Sequence, residues 1–66
     1  MPYINVKVAG SLTREQKETI VERITALMEE VAGKPPSATY IVIDEVSRGN
    51  WAKNGALLAP PPDHED

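Results

Sequence analysis

The chain has 66 residues, no cysteine and a formal net charge of −3 at pH 7. A chain of this length forms one domain at most and buries only about 60% of the surface that its unfolded form exposes. The absence of cysteine excludes disulfides and thiolate metal sites, and the excess of acidic residues argues against a nucleic-acid partner. We therefore expect oligomerisation to supply the missing core.

No apolar run approaches the ~20 residues that a membrane span needs. The start has no basic segment followed by an apolar one, so a signal peptide is not expected and the cytoplasm is the expected compartment. The sequence has one histidine, His64, in the acidic end of the chain. With no cysteine and one histidine, a transition-metal site is not expected.

The first predicted element is a strand from Pro2 to Val8. Apolar residues alternate with others along it, which is typical of a half-buried strand: Ile4, Val6 and Val8. Proline can begin a strand but has no amide hydrogen to donate to a sheet. Pro2 is therefore either a tolerated strand-edge residue or, if Met1 is removed, a free secondary amine.

An amphipathic helix is predicted over roughly residues 14–32. Thr13 and Gln16 fit a capping box at its start, and Gly33 stands where a left-handed C-cap is expected. The apolar residues recur at helical spacing and form one stripe: Ile20, Ile24, Leu27, Met28 and Val31.

The stretch TYIVIDEV (39–46) is rich in β-branched residues and apolar on both faces at its centre, which predicts a second strand covered on both sides. Strand, helix and strand form a βαβ unit with parallel strands and a right-handed crossover. Asn54 and Gly55 supply a turn, so a terminal hairpin or extended arm is expected over residues 47–59. The predicted fold is α/β (α+β): one domain over 1–59, followed by a Pro-rich acidic tail over 60–66.

One helix can cover only one face of a two-stranded sheet. Covering each valine or isoleucine side chain contributes ~1.5–3 kcal/mol to the free energy of folding. An uncovered sheet face therefore lacks a large part of this stabilisation. We expect the sheet of a second protomer to cover it, with the arm at 47–59 reaching a further subunit. Lys7, on the second face, would then need a counter-charge.

Four features together resemble the 4-oxalocrotonate tautomerase family of the tautomerase superfamily. They are the initial MP, the helix opening TREQKETIVERI, the strand ending IDEV and the segment NWAKNG. The resemblance covers residues 2–58. It implies a homo-hexamer built as a trimer of dimers, and catalysis by Pro2 once Met1 has been removed.

The chemistry that the resemblance implies suits a free proline amine. Unperturbed α-amino groups titrate at ~7.7–8.0, and burial in an apolar site lowers that pKa further. A base with a pKa near the operating pH can take a proton α to a carbonyl and return it elsewhere. The implied function is a cofactor-free tautomerase that interconverts enol and keto forms of a 2-oxo acid, with Pro2 as general base.

The family's other site residues match less closely. In the family, two arginines hold a dicarboxylate substrate and polarise its carbonyl, and an aromatic residue makes the site apolar. Leu12 and Tyr40 stand at the arginine positions, and Trp51 stands at the aromatic one. The resemblance implies that Trp51 lines the site. Four cations are possible substitutes for the two arginines: Arg14, Arg48, Lys7 and Lys53. Tyr40 can donate a hydrogen bond to the substrate. Of these residues, Tyr40 and Arg48 are the substrate-binding candidates.

Each of these side chains also has a purely structural interpretation. Trp51 can be a core or interface anchor, Tyr40 can pack on the sheet, and Arg48 can be a solvated loop charge. Two other functions stay open. One is a hydratase or dehalogenase of the same superfamily, which would need Asp44 or Glu45 to activate water, and the other is a non-catalytic partner subunit of a tautomerase-like hexamer.

Overall fold

The structure is a computed structural model that describes residues 1–60. Its elements are β1 (Tyr3–Ala9), α1 (Arg14–Ala32), β2 (Tyr40–Val46), β3 (Ala52–Lys53) and β4 (Ala56–Leu57). Short 3₁₀ turns occupy Pro36–Ala38 and Arg48–Asn50. This order confirms the predicted βαβ unit with a short C-terminal hairpin. Apart from Pro60, the predicted tail lies outside the described residues, and so does His64.

The strands β1 and β2 form a parallel sheet in which Tyr3 pairs with Tyr40 and Ala9 with Val46. Side chains of register partners share a face of a parallel sheet. The nitrogen of Lys17 in α1 lies 2.8 Å from a carboxylate oxygen of Glu45, so α1 covers the face that carries Glu45. The same face carries the apolar residues Ile4, Val6, Val8, Ile41 and Ile43.

Local sequence fixes both ends of α1. The Thr13 hydroxyl accepts a hydrogen bond from the Gln16 amide at 3.1 Å, and the Gln16 side chain accepts one from the Thr13 amide at 2.9 Å. Gly33 has φ 67° and donates its amide to the Glu29 carbonyl at 3.0 Å. The predicted capping box, the left-handed C-cap and the helix over 14–32 are therefore confirmed.

The isolated chain has a thin core, since no side chain within residues 1–60 is fully buried. Two strands are too narrow to cover the whole apolar stripe of α1, and Leu27 and Val31 remain 53% and 74% exposed. On the sheet face opposite α1, Tyr3, Tyr40 and Val42 are 63%, 55% and 42% exposed. The expectation that β2 is covered on both sides is not met within one chain.

We call this second side of the sheet the open face. It carries Tyr3, Asn5 and Lys7 of β1 and Tyr40, Val42 and Asp44 of β2. Within residues 1–60, no helix has both the length and the apolar character needed to cross a membrane.

Candidate functional site

Pro2 lies at the start of the sheet, directly before β1. Its carbonyl accepts a hydrogen bond from the Tyr40 amide at 2.9 Å, and the next residue, Tyr3, is the register partner of Tyr40. Parallel strands begin at the same edge of a sheet, so the three residues define one edge, which we call the amino edge. Pro2 is half-buried there, whereas Met1 is 84% exposed.

Arg48 and Trp51 lie together after the far end of β2. Arg48 begins a 3₁₀ turn that is capped by the Ser47 hydroxyl, and the Trp51 amide donates to the Arg48 carbonyl at 3.3 Å. The end of the hairpin arm joins them. The Leu58 amide donates to the Trp51 carbonyl at 2.9 Å, and Arg48 Nε donates to the Ala59 carbonyl.

The two groups are separated by the length of β2. This strand runs for 7 residues from Tyr40 to Val46, which at ~3.3 Å per residue is about 20 Å from end to end. Within one chain the fold therefore brings Pro2 to Tyr40 and Arg48 to Trp51, but it does not bring the two pairs together. A complete site built from all four residues needs more than one copy of the chain.

Leu12 lies near the carboxyl ends of the strands. Its amide donates to Glu45 Oε2 at 2.7 Å, and the adjacent Gly10 amide donates to the Val46 carbonyl at 2.8 Å. A shallow groove of about 320 Å³ runs from Leu12 along the first turns of α1 and is lined by Leu12, Glu15, Gln16, Thr19 and Ile20. The groove includes Leu12, which stands at one of the family's two arginine positions. Its lining contains none of the four predicted site residues Pro2, Tyr40, Arg48 and Trp51.

The open face carries a charged network halfway along the strands. Lys7 Nζ donates to Asp44 Oδ2 at 2.7 Å, and Asn5 Nδ2 donates to the same oxygen at 2.9 Å. The hydrogen bond from Lys7, and to a smaller extent the one from Asn5, lowers the pKa of the Asp44 carboxyl. The hydrogen bond to Asp44 in turn raises the pKa of Lys7. Asp44 is therefore the counter-charge that Lys7 needs if this face becomes covered.

Glu45 is held on the opposite side of the sheet. Its two oxygens accept from Lys17 Nζ at 2.8 Å and from the Leu12 amide at 2.7 Å, and these bonds lower the pKa of the carboxyl. Adjacent carboxylates of β2 thus face opposite sides, as expected for neighbours in a strand. Each carboxylate is bound to its own lysine.

The described part of the chain has no group of three or more His, Cys, Asp or Glu side chains arranged to hold a metal ion. Sequence reasoning had not singled out Tyr3 or the Asp44 partner of Lys7. Alternation placed Tyr3 and Lys7 on one face, but the residues opposite them depend on the register between β1 and β2. That register is a property of the folded sheet.

Comparisons with known proteins agree with this fold. A family model described as "Tautomerase enzyme" matches residues 2–59. The chain is 36% identical over 56 residues to "Probable tautomerase K2" of Dickeya dadantii, covering 83% of this chain and 84% of that protein. It is 32% identical over 59 residues to the "2-hydroxymuconate tautomerase" of Bacillus subtilis, covering 89% and 95%.

A solved structure shares the architecture. The crystal structure of DmpI from Helicobacter pylori matches with a TM-score of 0.79 at 32% identity, covering 85% of this chain and 94% of that one. Nearly the whole βαβ unit and hairpin is thus shared in sequence and in shape, from Pro2 to the end of the arm. The chain belongs to the 4-oxalocrotonate tautomerase family of the tautomerase superfamily.

Proposed function

We propose that the chain is a cofactor-independent keto–enol tautomerase acting on a 2-oxo acid, with Pro2 as general base after removal of Met1. The position of Pro2 carries the proposal. Its carbonyl is tied to the Tyr40 amide at 2.9 Å, which fixes the residue in the sheet, while Met1 is 84% exposed. Membership of a tautomerase family supports an isomerase activity.

The proposed step needs one proton and no oxidant. In ketonisation, the free amine of Pro2 takes the proton from the enol hydroxyl. The carbonyl forms as the electrons of the carbon–carbon double bond move to the distal carbon, and that carbon takes the proton back from the ammonium. Because the amine must be deprotonated to begin, a pKa near the operating pH would suit the reaction.

We also propose that the working form is a homo-oligomer, namely a hexamer assembled as a trimer of dimers in the cytoplasm. The absence of a fully buried side chain in residues 1–60 and the exposure of the open face support assembly. In the assembly, Trp51 and Arg48 of another copy approach the amino edge. Trp51 then forms an apolar wall, Arg48 holds the substrate carboxylate, and Tyr40 donates a hydrogen bond.

A hydratase or dehalogenase activity has less support from the contacts. Water activation would need a carboxylate with an unoccupied oxygen near Pro2. Asp44 binds Lys7 and Asn5 through one oxygen, and both oxygens of Glu45 are occupied. Both carboxylates also lie in the second half of β2, away from the amino edge.

Two measurements test the proposal. Intact mass is expected to show a chain without Met1, and Pro2→Ala is expected to lower kcat/KM for ketonisation by about 10²–10⁴-fold without changing the oligomer. The matched control is Pro36→Ala, which removes a proline from the 3₁₀ turn before β2 and is expected to retain activity.

The outcomes separate the candidate functions. Full activity of Pro2→Ala would overturn the role of the proline. An inert oligomer, with Met1 removed and Pro2 intact, would instead favour a non-catalytic partner subunit. In wild type, kcat/KM is expected to rise with pH as the Pro2 ammonium loses its proton.

A further inference from the structure

The amino edge presents two phenol rings beside Pro2. Tyr3 and Tyr40 are register partners on the open face, and they are 63% and 55% exposed. Tyr3 follows Pro2 in the chain, and the amide of Tyr40 is bonded to the Pro2 carbonyl. Both rings are thus anchored by the backbone that fixes Pro2.

Positive charge on the open face lies farther along the strands. Among the described residues of this face, the cation nearest to the edge is Lys7, four residues beyond Tyr3 and thus about 13 Å away. Its ammonium is bound to Asp44 at 2.7 Å. Lys34, in the connection between α1 and β2, is exposed.

The guanidinium proposed to hold a carboxylate is that of Arg48. It sits after the far end of β2, and its Nε already donates to the Ala59 carbonyl. One guanidinium, brought by another copy, suits one carboxylate. A second carboxylate at the amino edge would meet tyrosine rings and hydroxyls, which lack the charge that makes an arginine–carboxylate pair strong.

Resting on the proposed function, we infer that the substrate is a 2-oxo acid with a single carboxylate and an aromatic or otherwise apolar body. Tyr3 and Tyr40 contact that body. Aromatic pairs contribute beyond the area that they bury, through offset-stacked or edge-to-face contacts. The hydroxyl of Tyr40 can donate a hydrogen bond to the oxo or enol oxygen, since no described side chain is hydrogen-bonded to it in the isolated chain.

The test compares two enol substrates, the enol of phenylpyruvate and the dicarboxylate 2-hydroxymuconate. Wild type is expected to favour the aryl substrate in kcat/KM by at least about tenfold. Tyr40→Leu removes the ring and is expected to raise KM for the aryl substrate by about tenfold, whereas Tyr40→Phe, which keeps the ring, retains the preference.

A variant that adds a positive charge beside Pro2 tests the preference for a single carboxylate most directly. Tyr40→Arg puts a guanidinium beside Pro2 and is expected to shift the preference toward the dicarboxylate by at least about tenfold. Glu30→Gln changes the net charge by the same one unit at an exposed helix position and serves as its control. Lys34→Gln is expected to leave the preference of wild type unchanged.

Each outcome has one meaning. A wild type that prefers the dicarboxylate overturns the inference, as does a Tyr40→Arg variant with an unchanged ratio. If the tyrosines merely pack between subunits, Tyr40 variants will alter the oligomer and change both activities by the same factor, which also overturns it. Failure of the proposed function looks different, because then neither substrate is turned over or Pro2→Ala turns over both.

Discussion

A carboxylate placed at Val42 tests whether the open face is covered in solution. Val42 lies in β2 between Tyr40 and Asp44, opposite Asn5, and is 42% exposed. In a separate chain, Val42→Asp would leave its carboxylate in water and alter stability by no more than about 1 kcal/mol. In an assembly that covers this face, the same carboxylate would be buried without a cation.

Burial of the new carboxylate sets the size of the effect. Covering the exposed 42% of Val42 in an assembly contributes about 1 kcal/mol, since a fully covered valine contributes ~1.5–3 kcal/mol. An unpaired buried carboxylate costs several kcal/mol. Val42→Asp should therefore disfavour assembly, and a loss of about 4 kcal/mol weakens association by about 10³-fold.

Light scattering after gel filtration, repeated over a concentration series, measures the effect. Wild type is expected to run as an oligomer and Val42→Asp as a monomer or small species that dissociates on dilution. The control is Ala26→Asp, which adds the same charge at an exposed position of α1 outside its apolar stripe and should leave the oligomer intact. A monomeric wild type, or Val42→Asp assembling like wild type, would refute the reasoning.

Two further predictions concern stability. Gly33→Ala forces a Cβ onto φ 67° and should lower the free energy of unfolding by about 1–2 kcal/mol, measured by urea denaturation, whereas Gly49→Ala, where φ is not positive, should cost less. The pKa of Glu45 is lowered by Lys17, so its stabilising contribution is present above the unfolded pKa of about 4.3 and is lost as pH falls through the lower folded value. Thermal unfolding of Glu45→Gln should accordingly depend less on pH in this range than that of wild type, and an equal dependence would argue against the ion pair.

The elements that local sequence determines were predictable. Thr13 and Gln16 cap each other within one helical turn, and Gly33 adopts the left-handed conformation that ends α1. Each signal acts over a few residues, so no knowledge of the rest of the fold is needed to interpret it. The ends of α1 therefore agree with the prediction, residue for residue.

Contacts across the sheet could not be predicted in the same way. Lys7 and Asp44 are 37 residues apart, and their meeting depends on the register that pairs Tyr3 with Tyr40. A shift of that register by one residue would turn Asp44 toward α1 and Glu45 toward the open face. The alternation of β1 indicated that Lys7 needs a partner, but not which carboxylate supplies it.

The positions of the candidate residues likewise depend on topology. A strand–helix–strand sequence places Pro2 and Tyr40 at one edge because β1 and β2 are parallel, and it sends Arg48 and Trp51 to the other edge for the same reason. No change of side-chain rotamer spans the ~20 Å between them. The resemblance supplied the residues, and the topology adds that within one chain they lie in two separate groups.

Assembly and the proposed activity then have a common physical basis. A chain this small leaves Val42 of the open face exposed, and we expect another copy to cover it. Arg48 and Trp51 of the same chain lie at the far end of β2, so the pair that we propose for the amino edge would also have to come from another copy. A variant that dissociates the oligomer should therefore lose activity even with Pro2 intact, because each separated chain retains the proposed base but lacks the proposed carboxylate-binding half of the site.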